Sequence, residues 1–232
     1  MIKFNGKELT DIADVKIDDI DVSPIQINPV VRERPISAGA EFIRSKKGIR
    51  TVTISFALLE MNRDDREAAL QSIRDWCETS SEKNLVLPNF NDRHLEAICT
   101  QSPDASYRKW WENKLKIVFT CFNNPYWTSD ELIEVPCGTL FSIGGSAPPI
   151  MTINRNGSKL TNVTYSDGSR SMNFSQIPAG NLVIDLNRET AAIGSTSIMQ
   201  YYSPTSKWIT PAVGANKKIT GVGSVRYRER WV

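Results

Sequence analysis

His94 is the only imidazole in the chain, and it follows Asp92 and Arg93. Nucleophilic catalysis would need that one histidine to meet a serine or cysteine and an orienting carboxylate. No G-x-S-x-G elbow or family-like cysteine signature accompanies it, so His94 reads as a strand-start residue with ordinary hydrogen bonds. A glycosidase pair could be drawn from Asp185, Glu189, Glu131 and Glu134, provided two of them faced each other across roughly 5–10 Å. Asp185 lies between Ile184 and Leu186, where strand alternation turns it toward solvent or a groove. Gly138, Gly144 and Gly145 precede no helix and form no phosphate or dinucleotide cradle. Cys77, Cys99, Cys121 and Cys137 are widely spaced, without a C-x-x-C pair. Cys77 and Cys121 fall on apolar faces and read as buried, reduced thiols. No catalytic residue, cofactor or metal is therefore expected.

The aromatic and basic residues offer binding chemistry instead. Trp208 and Tyr201, together with Tyr202 and Tyr165, could stack on sugar rings or could simply fill a core. Trp110 and Trp111 are adjacent, so on an extended segment they face opposite sides, and one of them should meet another subunit or a covered surface. Arg226, Arg228 and Arg230 share one face of a closing strand at about 225–232. That face fits a solvated edge or a pairing with acids of a neighbouring subunit.

The elements that would position these residues are mainly β. Val15 and Ile17 share one face, Ile20 and Val22 the next, and the alternation flips at Asp18-Asp19, as at a bulge or tight turn. Residues 24–34 are a weaker extended candidate. Residues 36–50, with Gly39 and Gly48 near the ends, read as a projecting hairpin arm. Residues 51–59 alternate cleanly, with Val52, Ile54, Phe56 and Leu58 on one face. The period then changes. Ala69, Leu70, Ile73, Trp76 and Cys77 fall within an arc of about 120°, predicting one helix over about 63–79 with Asn62 as its N-cap.

Short strands follow, and the one over 114–122 is apolar on both faces and predicted to be central. Asn123-Asn124-Pro125-Tyr126-Trp127 then marks a domain boundary. An α+β N-terminal domain is expected over 1–127. A C-terminal β-sandwich is expected over 128–232, where turn signals at Asn156-Gly157, Asp167-Gly168 and Gly180-Asn181 separate short strands.

Composition narrows the class further. A formal charge of +2 implies neither a nucleic-acid clamp nor a polybasic membrane anchor. The first residues hold no apolar run of signal-peptide type, and no stretch approaches the roughly 20 apolar residues of a membrane span, so synthesis and folding in the cytoplasm are expected.

Taken in order, Asp11-Ile12, Arg34-Pro35-Ile36, the strand from Arg50 and the helix ending in Trp76 form a recognisable series. Leu85-Val86-Leu87-Pro88, Asp92-Arg93-His94, Cys121 to Trp127 and the closing Val225 to Trp231 complete it. This series resembles the distal tail (Dit) proteins of long, non-contractile-tailed phages and prophages. The likeness is good over about 1–127 and the last dozen residues, and mainly architectural between them.

The resemblance implies a virion structural protein at the distal end of the tail, made in the host cytoplasm. It implies a homo-hexameric ring of N-terminal domains, each a β-sandwich with a hairpin arm and a helix, and an outer galectin-like, jelly-roll C-terminal domain. The ring would join the tail tube to a tail-associated or fibre protein, hold a receptor-binding protein in some phages, and let DNA pass without recognising it. Phe42, Ile43 and Arg44 of the arm, with Trp110, Trp111 and the three closing arginines, are then the expected inter-subunit residues. A carbohydrate-binding module using Trp208 and Tyr201 to attach a particle to the host wall is the alternative.

Overall fold

The computed structural model describes residues 1–33, 40–59, 62–103 and 114–232. Strands dominate, and the described chain divides into two compact units, Met1–Trp127 and Thr128–Val232.

The first unit opens with β1 (Lys3–Phe4), β2 (Lys7–Glu8), the short α1 (Leu9–Ile12) and β3 (Val15–Val22). It continues through β4 (Ile27–Glu33), β5 (Ala40–Lys47), β6 (Arg50–Leu58) and α2 (Arg63–Cys77). It closes with β7 (Lys83–Val86), β8 (Arg93–Gln101) and β9 (Leu115–Cys121). All its pairings are antiparallel. β3, β6, β9 and β8 follow one another laterally, and the first half of β8 turns away to pair with β7, which pairs with β1.

Alternation decides which side of this sheet is core. Val52, Ile54, Phe56 and Leu58 of β6 are fully buried, with Ile117 and Phe119 of β9 beside them. Burying such side chains contributes about 1.5–3 kcal/mol each. α2 lays Ala69, Leu70, Ile73, Trp76 and Cys77 into this core, and these are its buried residues. Its Asn62 side chain accepts the Asp64 N–H at 3.1 Å, satisfying one of the free donors of the first turn. Phe4, Trp76 and Phe119 meet as an aromatic trio, with centroids 4.8–6.1 Å apart. The indole N–H donates to the Lys7 carbonyl at 3.2 Å, so the tryptophan's one polar atom is satisfied.

The second unit contains β11 (Ile133–Pro136), β12 (Leu140–Ile143), β13 (Ala147–Gly157), β14 (Leu160–Ser166) and β15 (Ser171–Ile177), preceded at the boundary by β10 (Trp127–Ser129). It ends with β16 (Gly180–Asp185), β17 (Thr190–Ile193), β18 (Thr196–Ser197), β19 (Gly214–Lys218) and β20 (Ser224–Trp231). Its larger sheet runs β18-β17-β16-β13-β20-β11. The pairs β12–β19 and β14–β15 form two small ribbons. One core holds Ile153, Ile184, Val225 and Tyr227 from the sheet with Phe141, Tyr165, Met172 and Phe174 from the ribbons. Burying an interior face from each layer is what makes the unit cohere.

Candidate functional site

β3 and β6 form a ladder whose last pair is Val22 with Val52. The ladder does not stop there. Ser23 N–H donates to the Thr51 carbonyl at 2.9 Å, Gln26 N–H to the Ile49 carbonyl at 3.1 Å, and Gly48 N–H back to the Gln26 carbonyl at 2.8 Å. β4 and β5 then pair from Ile27 with Lys47 to Glu33 with Ala40. The arm is thus a ribbon growing out of the end of the β3–β6 ladder, and its strands add about 23 Å at the usual rise per residue. Its first strand begins at Ile27, ahead of the 36–50 segment expected for the arm. It falls inside the weaker extended candidate at 24–34, where Asn28 and Pro29 interrupt the alternation. A residue larger than glycine at position 48 would press a β-carbon to 2.6 Å from the Asn28 amide, so the ribbon's root is tight.

The register gives the arm two different faces. Ile27, Pro29, Val31 and Phe42 share one with Ser45 and Lys47, while Asn28, Val30, Arg32, Arg44 and Lys46 share the other. The pairing passes from Val30 with Arg44 to Val31 with Phe42, which leaves Ile43 as the extra residue of a bulge. Among the described residues, neither face is covered. Ile27 and Phe42 are each 61% exposed, Val31 52% and Ile43 55%. A two-stranded ribbon is marginal in water by itself, and adjacent exposed apolar side chains mark a surface that something covers.

The other residues singled out by sequence are dispersed. Trp110 and Trp111 lie outside the described residues. The guanidinium groups of Arg226, Arg228 and Arg230 are engaged inside their own unit. Arg226 pairs with Glu134 at 2.9 Å, Arg228 donates to the Ser129 carbonyl at 2.9 Å, and Arg230 to the Pro148 carbonyl at 2.5 Å. Hydrogen bonds from Ser224 and Arg226 hold the exposed Glu134 carboxyl below its ordinary pKa. Trp208 stacks on Tyr202 with centroids 5.0 Å apart and planes at 17°, so one ring face is already occupied. Tyr201 sits in a 3-10 turn, its carbonyl accepting from Ser175, and both aromatics pack against the core of the second unit.

The residues considered for catalysis do structural work. The Asp185 carboxylate accepts the N–H groups of Asn187 and Arg188 at 2.9 and 3.0 Å, closing the turn before Glu189. His94 is buried in β8, and the Asp92 carboxylate beside it is gripped by Arg93 at 2.8 Å. Cys77 and Cys99 share a hydrogen bond that raises the Cys77 pKa, with burial adding to it. Burial pushes the Cys121 thiol up to about 12. Among the described residues no group of three acidic, histidine or cysteine side chains could hold a metal ion. No described helix is long and apolar enough to cross a membrane.

No protein-family model matches the chain, and no curated protein does. Among solved structures, the Dit protein of phage SPP1, described as a paradigm of the hub adsorption apparatus in phages infecting Gram-positive bacteria, superposes with a TM-score of 0.76 at 14% identity. The match covers 100% of this chain and 98% of that one. The phage P2 baseplate in its activated conformation matches more loosely. With calcium it gives a TM-score of 0.49 at 8% identity, covering 95% and 91% of the two chains. With strontium it gives 0.47 at 10% identity, covering 94% and 90%. Those two similarities are too loose to argue from. The first shows that the chain has the Dit fold from end to end.

Proposed function

We propose that the chain is a structural subunit of a phage tail tip, a distal-tail hub protein that assembles with copies of itself into a ring, six to the ring, at the end of the tail. The single observation that carries this reading is the likeness to the SPP1 hub protein across nearly the full length of both chains. The uncovered arm supports it, because a ribbon with bare apolar residues is what a subunit lends to its neighbour. In this reading the ring joins the tail tube on one side to a tail-associated or fibre protein on the other, gives a receptor-binding protein a place to dock, and performs no catalysis. DNA crosses the central channel without sequence recognition, in keeping with a net charge of only +2.

Native mass spectrometry and negative-stain micrographs of the purified chain test this. The expected result is a closed ring of six with a central pore. A stable monomer at micromolar concentration overturns it. In that case a glycan array compared between the wild type and Trp208→Ala decides whether the chain is instead a sugar-binding module.

A further inference from the structure

We propose that Cys77 and Cys99 form an oxidisable pair, which closes into a disulfide and staples the end of α2 to β8 when the protein meets a low-mass disulfide.

Three elements bring the two thiols together. Cys77 is the last residue of α2 and directly follows Trp76, whose ring lies 6.1 Å from that of Phe119. Phe119 of β9 is the ladder partner of Cys99 on β8, and ladder partners turn their side chains to one face. It is the core face, since Leu95 and Ala97, which alternate with Cys99 along β8, are fully buried. The end of the helix is therefore held over Cys99, and the two thiols are within hydrogen-bond reach of each other. Arg74 fixes the same turn of α2 by donating to the Pro103 carbonyl, just past β8. The pairing of β8 shifts register immediately after Cys99, so the backbone there is less tightly tied.

The two thiols have unequal roles. Cys99 is only part-buried and so open to a small reagent, whereas Cys77 is buried. Cys77 also lies at the C-terminal end of a helix, whose dipole disfavours a thiolate. Its S–H donates to Cys99, as does the Gln101 N–H, and both bonds favour the thiolate there. The Cys99 thiolate attacks one sulfur of the low-mass disulfide and expels the other as a thiolate. Cys77 gives its proton to that leaving thiolate and attacks the Cys99 sulfur, which expels the second low-mass thiolate. This takes up the proton that Cys99 had released, so two protein thiols are oxidised and one disulfide is reduced to two thiols.

The bridge closes the chain from 77 to 99, with β7 inside the loop, and removes freedom from the unfolded state. A reducing cytoplasm keeps the pair open, and oxidising surroundings close it. On the tail-tip reading, on which this timing alone rests, subunits assemble with free thiols and released particles are stapled.

Peptide mapping of the full chain without reductant, after exposure to oxidised glutathione, tests this. The expected result is one cross-link, Cys77 to Cys99, with two hydrogens lost from the intact mass and full reversal by dithiothreitol. Cys77→Ser should stop with glutathione carried on Cys99, while Cys99→Ser should leave Cys77 unmodified. The oxidised wild type should melt about 5–10 °C higher than the reduced form. Thiols that stay free, a glutathione on Cys99 that Cys77 never displaces, or a bridge from Cys99 to Cys121 overturns the inference. So does an oxidised form that melts no higher than the reduced one. The map is read on whatever assembly the chain forms, so a missing ring leaves the bridge standing and a missing bridge leaves the ring.

Discussion

Gly221 lies against the ring of Tyr165 so closely that a β-carbon there would stand 2.2 Å from Cδ1, and its φ of +143° is one that L residues rarely adopt. Tyr165 is fully buried and donates its hydroxyl to the Val222 carbonyl at 3.1 Å, so the glycine and the residue after it clasp the ring from two directions. Gly221→Ala should cost the second unit about 2–4 kcal/mol through crowding and backbone strain. Tyr165→Phe, which removes only the hydrogen bond, should cost about 1 kcal/mol. Urea unfolding followed by tyrosine and tryptophan fluorescence separates the two, and equal costs would contradict this packing.

Arg50 gives a prediction of the opposite sign. It pairs across the ladder with Cys121, is 4% exposed, and its Nε and Nη1 atoms have no hydrogen-bond partner among the described residues. Burial lowers its pKa, which means that the charged form is held at a cost. Arg50→Met, similar in length and without the charge, should stabilise the first unit by about 1–3 kcal/mol. A loss of stability on that substitution would show that the guanidinium has a partner the packing does not reveal.

Alkaline stability follows from two buried acids. Burial pushes both the Cys121 thiol and the Tyr165 phenol up to about 12, from ordinary values of 9.0 and 10.0. A raised pKa means that the folded state keeps a proton the unfolded state has released. The stabilisation is therefore complete below pH 9 and lost as pH climbs toward 12. Denaturant midpoints should fall over that window. Cys121→Ala should flatten the decline of the first unit and Tyr165→Phe that of the second.

The arm and the helix should separate assembly from stability. Phe42→Ser removes an exposed side chain and should leave the melting of the dissociated chain within about 0.5 kcal/mol. Ile73→Ala, deleting a fully buried side chain of α2, should cost about 2–5 kcal/mol. Calorimetry at low concentration reads the second effect, and sedimentation at high concentration reads weakened self-association in the first.

The mainly β class was legible because most strands declare themselves locally. The β6 alternation and the α2 stripe are read directly from residue spacing, and the same side chains are those the structure buries. The reversal at Asp18-Asp19 is likewise the register shift between Ile17 and Asp19. β4 lies inside the weaker extended candidate at 24–34, and its place in the arm was not read because Asn28-Pro29 breaks the period in a strand with no core to face. Partner choice was not legible. Nothing in Val225-Arg226-Tyr227 says that this strand lies between β13 and β11, since that depends on long-range pairing. The stack of Trp208 on Tyr202 was hidden for the same reason, because two rings six residues apart meet only through an irregular loop. Spacing also does not tell that the strand of Asp19 and Asp21 pairs on one side alone among the described residues.

Strand order also sets a timetable for synthesis. The strands β1 to β9, the arm included, and both helices of the first unit have been made by Trp127. The second unit's sheet has its last-made strand, Ser224–Trp231, in the middle, flanked by two strands made long before it. Until that strand leaves the ribosome, Ile133–Pro136 and Ala147–Gly157 each wait with an edge unpaired. The arm's strands are thus complete while the second unit's sheet is still open, and a chain cut short ahead of Ser224 would carry the whole ribbon beside a sheet without its middle strand.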